Sequence, residues 1–281
     1  MLNKIVVGDS LHHFVDERQN KRSEILANRE FEFVHDKINV LVGENGSGKS
    51  SLLATIAKKL MAYNFGHTRL DDRLIRFADE YWQKEDKDRW YSDDVFMSDV
   101  KLETSADIYG TYVSADWTPC DAVDWAHALC YGLGKEATDH FKRVHDFSSG
   151  QGMRNVIENI FELMAKPSPE HYFDDNVSWY LKDKERNTHL AKRAQSLEPL
   201  LPKAGSNIVA LFDEPERPLD IGAQVLFWKN LNKLAKLPHV QIIIATHSVI
   251  PLMSPDDFNF VEMNDGYANR LLDIAEEEFK Q

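Results

Sequence analysis

The string Gly43-Glu44-Asn45-Gly46-Ser47-Gly48-Lys49-Ser50, with Ser51 after it, has the G-x-x-x-x-G-K-[ST] spacing of a loop that wraps nucleotide phosphates. Its glycines let the backbone curl until consecutive N–H groups point at phosphate oxygens. The amino end of the helix that follows adds partial positive charge. In that setting Lys49 neutralises β- and γ-phosphate oxygens and the Ser50 hydroxyl ligates Mg²⁺. The alternative is a glycine-rich turn that binds nothing, and the full pattern between a strand and a helix speaks against it.

Three further strings could complete such a site. Asn207 to Glu216 is a hydrophobic strand ending in acids. Beside the phosphate loop, Asp213 would hold Mg²⁺ through water and Glu214 would sit where the attacking water must be polarised. Taken alone, the same string is equally an acidic turn after a core strand. Val240 to Ser248 is another buried strand with a polar end, and His247 falls at the strand edge where open α/β sheets place ligand-contacting groups. There it could contact the γ-phosphate and help position the water; a lone strand-end histidine is otherwise a satisfied structural residue. Phe147-Ser148-Ser149-Gly150-Gln151 opens a helix. It reads either as a second anion cradle, too distant in sequence to belong to the first loop, or as an N-cap in which Ser148 or Ser149 starts the helix. The two readings are compatible.

Residues that act together need strands that end at them and helices that begin from them. Ile5 to Val7, Phe31 to Val34 and Asp107 to Val113 read as strands, and Ile38 to Val42 as a buried one by its β-branched content. Lys49 to Tyr63 carries a helical stripe of Leu52, Leu53, Ile56, Ala57, Leu60 and Met61. Residues 71–92, Trp125 to Leu133 and Met153 to Met164 read as helices, the last stopped by Pro167 and Pro169. An amphipathic helix over 177–198 precedes Pro199 and Pro202. The strands Ile208 to Phe212 and Val240 to Ala245 follow, separated by a helix from Gly222 to Lys236. Strands alternating with helices predict an α/β fold with a mostly parallel sheet.

The chain has 281 residues, 43% hydrophobic and 28% charged, the composition of an ordinary globular domain. With 33 Lys and Arg against 46 Asp and Glu, its net charge of −13 excludes a uniformly basic nucleic-acid coat, though not a local basic groove. The candidate basic clusters are Arg18, Lys21 and Arg22, and Lys182, Lys184, Arg186, Lys192 and Arg193. Only the first 70 residues, which hold the phosphate loop, carry a positive balance. No apolar run approaches the roughly 20 residues of a membrane span. The start lacks a secretory pattern, and Cys120 and Cys130 form neither a disulfide framework nor a metal pattern. These features together lead to an expectation of a cytoplasmic protein.

Taken together, the four strings resemble the ATP-binding-cassette (ABC) class of ATPases. The loop 43–50 resembles its Walker A motif, Phe147 to Gln151 its LSGGQ signature, and Ile208 to Glu214 its Walker B strand with a catalytic glutamate. Arg217-Pro218-Leu219-Asp220 is similar to the D-loop, and His247 matches the switch histidine. The resemblance covers about residues 30–250. It implies a P-loop NTPase fold in a single domain, with a core lobe of approximately 1–70 and 205–281 and a helical, signature-bearing lobe of approximately 71–204. It also implies an ATP- and Mg²⁺-dependent homodimer, two subunits head to tail, in which Ser148, Ser149, Gly150 and Gln151 serve ATP on the opposite protomer and Asp220 lies near the dimer axis.

Departures from the family pattern sharpen the comparison. Ser149 replaces the first signature glycine and Phe147 a leucine. From Gln151 to Asp213 there are 62 residues, more than transporter cassettes use, so an insertion over roughly 166–205 is expected before the Walker B strand. It reads as a partner-binding element or as an extra solvated helix. For the Mg²⁺-contacting loop glutamine the candidate is Gln83, within a stretch that otherwise reads as an exposed helix. For an adenine-stacking aromatic the candidates are Phe14 and Phe31, either of which could instead be core.

Three functional classes remain open. The first is a stand-alone ABC ATPase resembling the RecF, SMC and double-strand-break-repair group, driving a protein effector in DNA metabolism or defence, with nucleic acid as a possible partner. The second is the ATP-binding subunit of a transporter with a separate membrane partner. The third is a slow ATP-dependent scaffold or switch, against which the intact Glu214 and His247 argue.

Overall fold

Ile38–Val42, Asn207–Asp213 and Val240–Ala245 are buried along nearly their whole length, the mark of strands covered on both faces by other layers. A computed structural model describes residues 1–8, 24–60, 62–65, 100–115, 149–166 and 205–279. In chain order the elements are β1 (Leu2–Val7), β2 (Arg29–Glu32), β3 (Ile38–Val42), α1 (Lys49–Lys59), β4 (Tyr63–Phe65), β5 (Val100–Thr104), β6 (Ile108–Ser114) and α2 (Ser149–Ala165). After these come β7 (Asn207–Asp213), α3 (Ile221–Leu234), β8 (Val240–Ala245), a four-residue α4 (Ile250–Met253), β9 (Phe258–Glu262) and α5 (Tyr267–Phe279). Short 3-10 turns occupy Glu24–Leu26 and Pro255–Asp257.

The main sheet has six strands in the order β4-β6-β7-β8-β3-β9, and every pairing in it is parallel. This is the α/β P-loop fold that the sequence predicts. Alternate residues of the central strands face opposite layers, as the two-residue period of a strand requires. Ile208, Ala210, Phe212, Ile242 and Ile244 pack with Met153, Ile157 and Ile160 of α2 and with Phe227, Trp228 and Leu231 of α3. On the opposite side Val209, Leu211, Ile243 and Ala245 pack with Leu52, Leu53 and Ile56 of α1. Trp228 lies edge-on to Phe227 and Phe258, with ring centroids 5.7 and 5.6 Å away.

A second, antiparallel sheet, β2-β1-β5, packs its Leu2, Ile5, Val7 and Phe31 into the α1 layer. The buried Gln241 of β8 pins the two sheets together. Its Oε1 accepts from Leu2 N at 2.8 Å, and its Nε2 donates to Leu2 O at 2.7 Å.

Two sequence expectations change. The helix expected from Lys49 to Tyr63 ends at Lys59, and Tyr63–Phe65 forms the edge strand β4 beside β6. Residues 100–114, read within the helical lobe, supply β5 to the antiparallel sheet and β6 to the main sheet. Gln83, Phe14, Ser148, Cys120, Cys130, both basic clusters, nearly all of the 166–205 insertion, and the helices expected over 71–92, 125–133 and 177–198 lie outside the described residues.

Register aligns the chemistry. Leu41 of β3 and Asp213 of β7 both pair with Ala245 of β8. The chain therefore leaves these three strands at one level, releasing the phosphate loop, Glu214 and the Thr246–His247 segment along the same carboxyl-terminal edge, where open α/β sheets bind ligands.

Candidate functional site

The phosphate loop takes the backbone shape that its glycines allow. Gly46 and Gly48 have φ of +80° and +94°, left-handed values that a β-carbon disfavours. Ser47 N–H closes a turn on Glu44 O at 3.1 Å, and Leu52 N–H bonds Gly48 O at 2.8 Å as α1 begins. The Asn264 side chain, from the β9–α5 turn, accepts Glu44 N–H at 3.1 Å and braces the loop from outside. Lys49 is buried and folds back over the loop, donating to Gly43 O at 2.8 Å and Glu44 O at 3.1 Å. Burial lowers the Lys49 pKa, and the carboxylates of Glu214 and Asp213 oppose that shift.

Ser50 and Asp213 meet directly: Ser50 Oγ donates to Asp213 Oδ1 at 2.8 Å. The other carboxylate oxygen accepts from the Tyr112 hydroxyl at 3.2 Å. A hydroxyl and a carboxylate converging within hydrogen-bond distance, with the carboxylate oriented by a third group, are a hard-oxygen donor set of the kind Mg²⁺ takes beside substrate phosphates. Among the described residues no cluster of three or more His, Cys, Asp or Glu side chains could form an all-protein cage, which Mg²⁺ does not need.

Glu214 follows in the left-handed region at φ +49°, unusual for a residue with a side chain and a conformation that active sites retain at some cost. Its N–H is fixed to Ala245 O at 2.8 Å. The Glu214 Oε1 stands 3.2 Å from His247 Nε2, and Arg217 Nη1 approaches Oε2 at 3.7 Å. A cleft of about 320 Å³ brings Lys49, Ser50, Ser51, Glu214 and His247 together with Asn45 and Gly46. Ile25, which no sequence pattern marks, lines the same cleft. Phe31 does not serve as a base platform: it is 3% exposed, and the Arg29 guanidinium covers its ring at 4.7 Å.

Ser149, Gly150 and Gln151 lie on the first turn of α2, and Gly150 approaches the Arg217–Asp220 segment of the same chain. A β-carbon on Gly150 would come within 2.8 Å of Pro218 O, so the two backbones approach as only glycine permits. Arg154 forms an ion pair with Asp220. Asp220 also caps α3, accepting from Ala223 N–H at 2.9 Å. That N–H, with Arg154 beside it, holds the Asp220 carboxyl below its usual pKa. Among the described residues, neither Gly150 nor Gln151 lines the phosphate cleft.

Of the residues that the sequence singles out, the structure brings Lys49, Ser50, Asp213, Glu214 and His247 together, and beside them it places Tyr112, Asn264, Ile25 and the buried Glu216, which the sequence does not single out. Asn264 and Ile25 sit in strings with no motif, and Glu216 ends the acidic string after β7 with nothing to set it apart from a solvated acid. Tyr112 is identifiable only once β6 is known to lie beside β7.

Residues 26–167, half of the chain, match the family described as ABC transporter. No curated protein matches the chain. Among solved structures, a dimeric post-hydrolysis state of an ATP-binding cassette bound to ADP and Pi is 14% identical, over 85% of this chain and 87% of that one, with a TM-score of 0.34. An inward-facing conformation of a putative metal-chelate type ABC transporter is 17% identical, over 94% and 81%, with a TM-score of 0.33.

Proposed function

The chain belongs to the ABC transporter family and is an ATPase of the ABC class; from that premise we propose that it works as a Mg²⁺-dependent, head-to-tail homodimer that hydrolyses ATP to drive a protein effector. The observation that carries the reading is the meeting of Ser50 and Asp213, under a cleft that also holds Lys49, Glu214 and His247.

In this mechanism the loop amides of Gly46 to Ser51 and the Lys49 ammonium receive the β- and γ-phosphates. Burial lowers the Lys49 pKa, and an incoming polyanion favours its charged form, as the carboxylates of Glu214 and Asp213 already do. Ser50 and Asp213 would hold Mg²⁺, which would supply neutralisation of phosphate charge. Glu214 orients the attacking water and takes its proton, while His247, 3.2 Å from the same carboxylate, contacts the γ-phosphate. Gly150 and Gln151 do not line the cleft of their own chain among the described residues, which supports their use, with Ser148 and Ser149, on the ATP of a second copy.

For the process we favour a stand-alone cytoplasmic enzyme of the RecF, SMC and double-strand-break-repair type, in DNA metabolism or defence. Support comes from Asp213-Glu214-Pro215-Glu216, Ala245-Thr246-His247-Ser248, the altered signature and the long stretch before β7. Among the described residues no helix is long and apolar enough to cross a membrane. The family's own description favours a second reading, the ATP-binding subunit of a transporter; it shares the chemistry and differs in the partner. ATP turnover with and without linear double-stranded DNA, at low and then higher salt, separates the two. Salt-sensitive stimulation supports the DNA-linked reading. Indifference to DNA removes that support.

A further inference from the structure

The turn after β7 carries a carboxylate that the mechanism above leaves without a part. Glu216 is 5% exposed, yet among the described residues its Oε2 has no hydrogen-bond partner. The other oxygen, Oε1, accepts two donors from the segment after β8: the His247 backbone N–H at 3.2 Å and the Thr246 hydroxyl. Thr246 Oγ1 in turn accepts Ser248 N–H at 2.9 Å. One carboxylate oxygen thus ties three consecutive residues of this loop to the Walker B turn. The Glu216 carbonyl is engaged as well, accepting from Leu219 N–H at 2.9 Å and from Gln224 Nε2 of α3 at 3.3 Å.

Burying a carboxylate with one oxygen unsatisfied is costly, and burial pushes the Glu216 pKa above the ordinary glutamate range despite the hydrogen bonds that pull it down. A buried polar group persists against that cost where it fixes a geometry. Here the geometry is plain. Glu214 and Glu216 lie on one turn, and they hold His247 from its two ends, the first at the ring and the second at the backbone.

We propose that Glu216 is a positioning residue for hydrolysis: by accepting from His247 N–H and Thr246 Oγ it fixes the loop backbone so that the His247 ring stays against Glu214. The proposal rests on the roles given above to Glu214 and His247. The acceptor oxygen does this work, so an amide can replace the acid.

The test uses the full chain, with Mg²⁺-ATP affinity and steady-state hydrolysis measured separately. Glu216→Ala lowers kcat about 100-fold, the scale of a misplaced catalytic group, with ATP affinity held within about threefold. Glu216→Gln recovers most of that loss. In the double variant with His247→Ala the losses do not multiply, because both changes remove the same function. A Glu216→Ala enzyme with unchanged kcat, a glutamine variant no better than alanine, or a multiplicative double variant overturns the proposal. If His247→Ala alone turns over at the wild-type rate, the role of His247 fails and the proposal with it. If His247→Ala is impaired and Glu216→Ala is not, only the proposal fails. Thr246→Val removes one of the two donors without opening a cavity, and it carries the test if the alanine variant does not fold. About tenfold loss in kcat at retained affinity supports the tie, and unchanged kcat overturns it.

Discussion

Ser50 Oγ donates to Asp213 Oδ1 at 2.8 Å, joining residues 163 positions apart in the chain. Nothing local to either residue brings them together. The contact follows from sheet order: β3 and β7 flank β8, and the pairing of Leu41 and Asp213 with the same residue, Ala245, brings their carboxyl ends level. The metal-binding half of the site is therefore a product of register.

Tyr112, from the strand on the other side of β7, extends that arrangement by donating to Asp213 Oδ2 at 3.2 Å. Removing its hydroxyl takes away one of the hydrogen bonds that orient Asp213. Tyr112→Phe should raise the Mg²⁺ concentration needed for half-maximal ATP hydrolysis about tenfold, the lower end of outer-shell effects on metal sites. A Mg²⁺ titration of turnover at saturating ATP reads this directly, and an unchanged midpoint counts against the role of Tyr112.

Lys49 bonds the carbonyls of Gly43 and Glu44 and lines the cleft beside Ser50 and Glu214. Lys49→Ala should lose ATP binding, with affinity falling by at least about 100-fold, as expected when a charge-assisted contact is removed. Calorimetric titration of ATP checks it; unchanged affinity would defeat the phosphate-loop assignment.

Glu216 gives a pH-dependent prediction with a definite sign. Its folded-state pKa is raised above the unfolded value near 4.5, so the folded protein binds the proton more tightly than the unfolded chain. Stability then falls as pH rises from about 4.5 through the folded pKa, because the ionised form is the one that burial penalises. Glu216→Gln removes this titration. Its melting temperature relative to wild type should rise between acid and neutral pH and level off once the wild-type carboxyl has ionised. A difference that is flat across that range, or that shrinks, contradicts the assignment.

Gly150 faces Pro218 O with no room for a side chain. Gly150→Ala must push α2 away from the D-loop, an overpacking cost of about 1–3 kcal/mol. Thermal denaturation should show the loss. Mg²⁺-ATP binding by the isolated subunit should persist, because Gly150 does not line the phosphate cleft of its own chain. Loss of ATP affinity in that subunit would place Gly150 in the wrong site.

Much of the site is legible in the sequence because each part is short and anchored to a strand end. The phosphate loop is a contiguous string between β3 and α1, and Asp213, Glu214 and His247 close hydrophobic runs. The antiparallel sheet is not legible as such. Its strand β5 pairs with β1 about 100 residues earlier, and no spacing signals the match. The end of α1 is missed for a tertiary reason. Its apolar stripe runs on through Leu60 and Met61, but the chain turns after Lys59, with Ala62 N–H on Ala57 O at 2.7 Å, so that β4 can pair with β6. Glu216 looks like one more acid of an acidic turn; only its burial and its grip on Thr246 and His247 separate it from a solvated one.

Glu214 carries the central claim, since water activation is assigned to it and to no other group. The decisive measurement compares wild type with Glu214→Gln in two assays on the same preparations: Mg²⁺-ATP affinity with oligomeric state, and steady-state turnover. The account predicts that the variant binds ATP as wild type does, accumulates as a dimer, and turns over at least about 100-fold more slowly, the scale of a lost general base. Turnover at the wild-type rate in Glu214→Gln would contradict it.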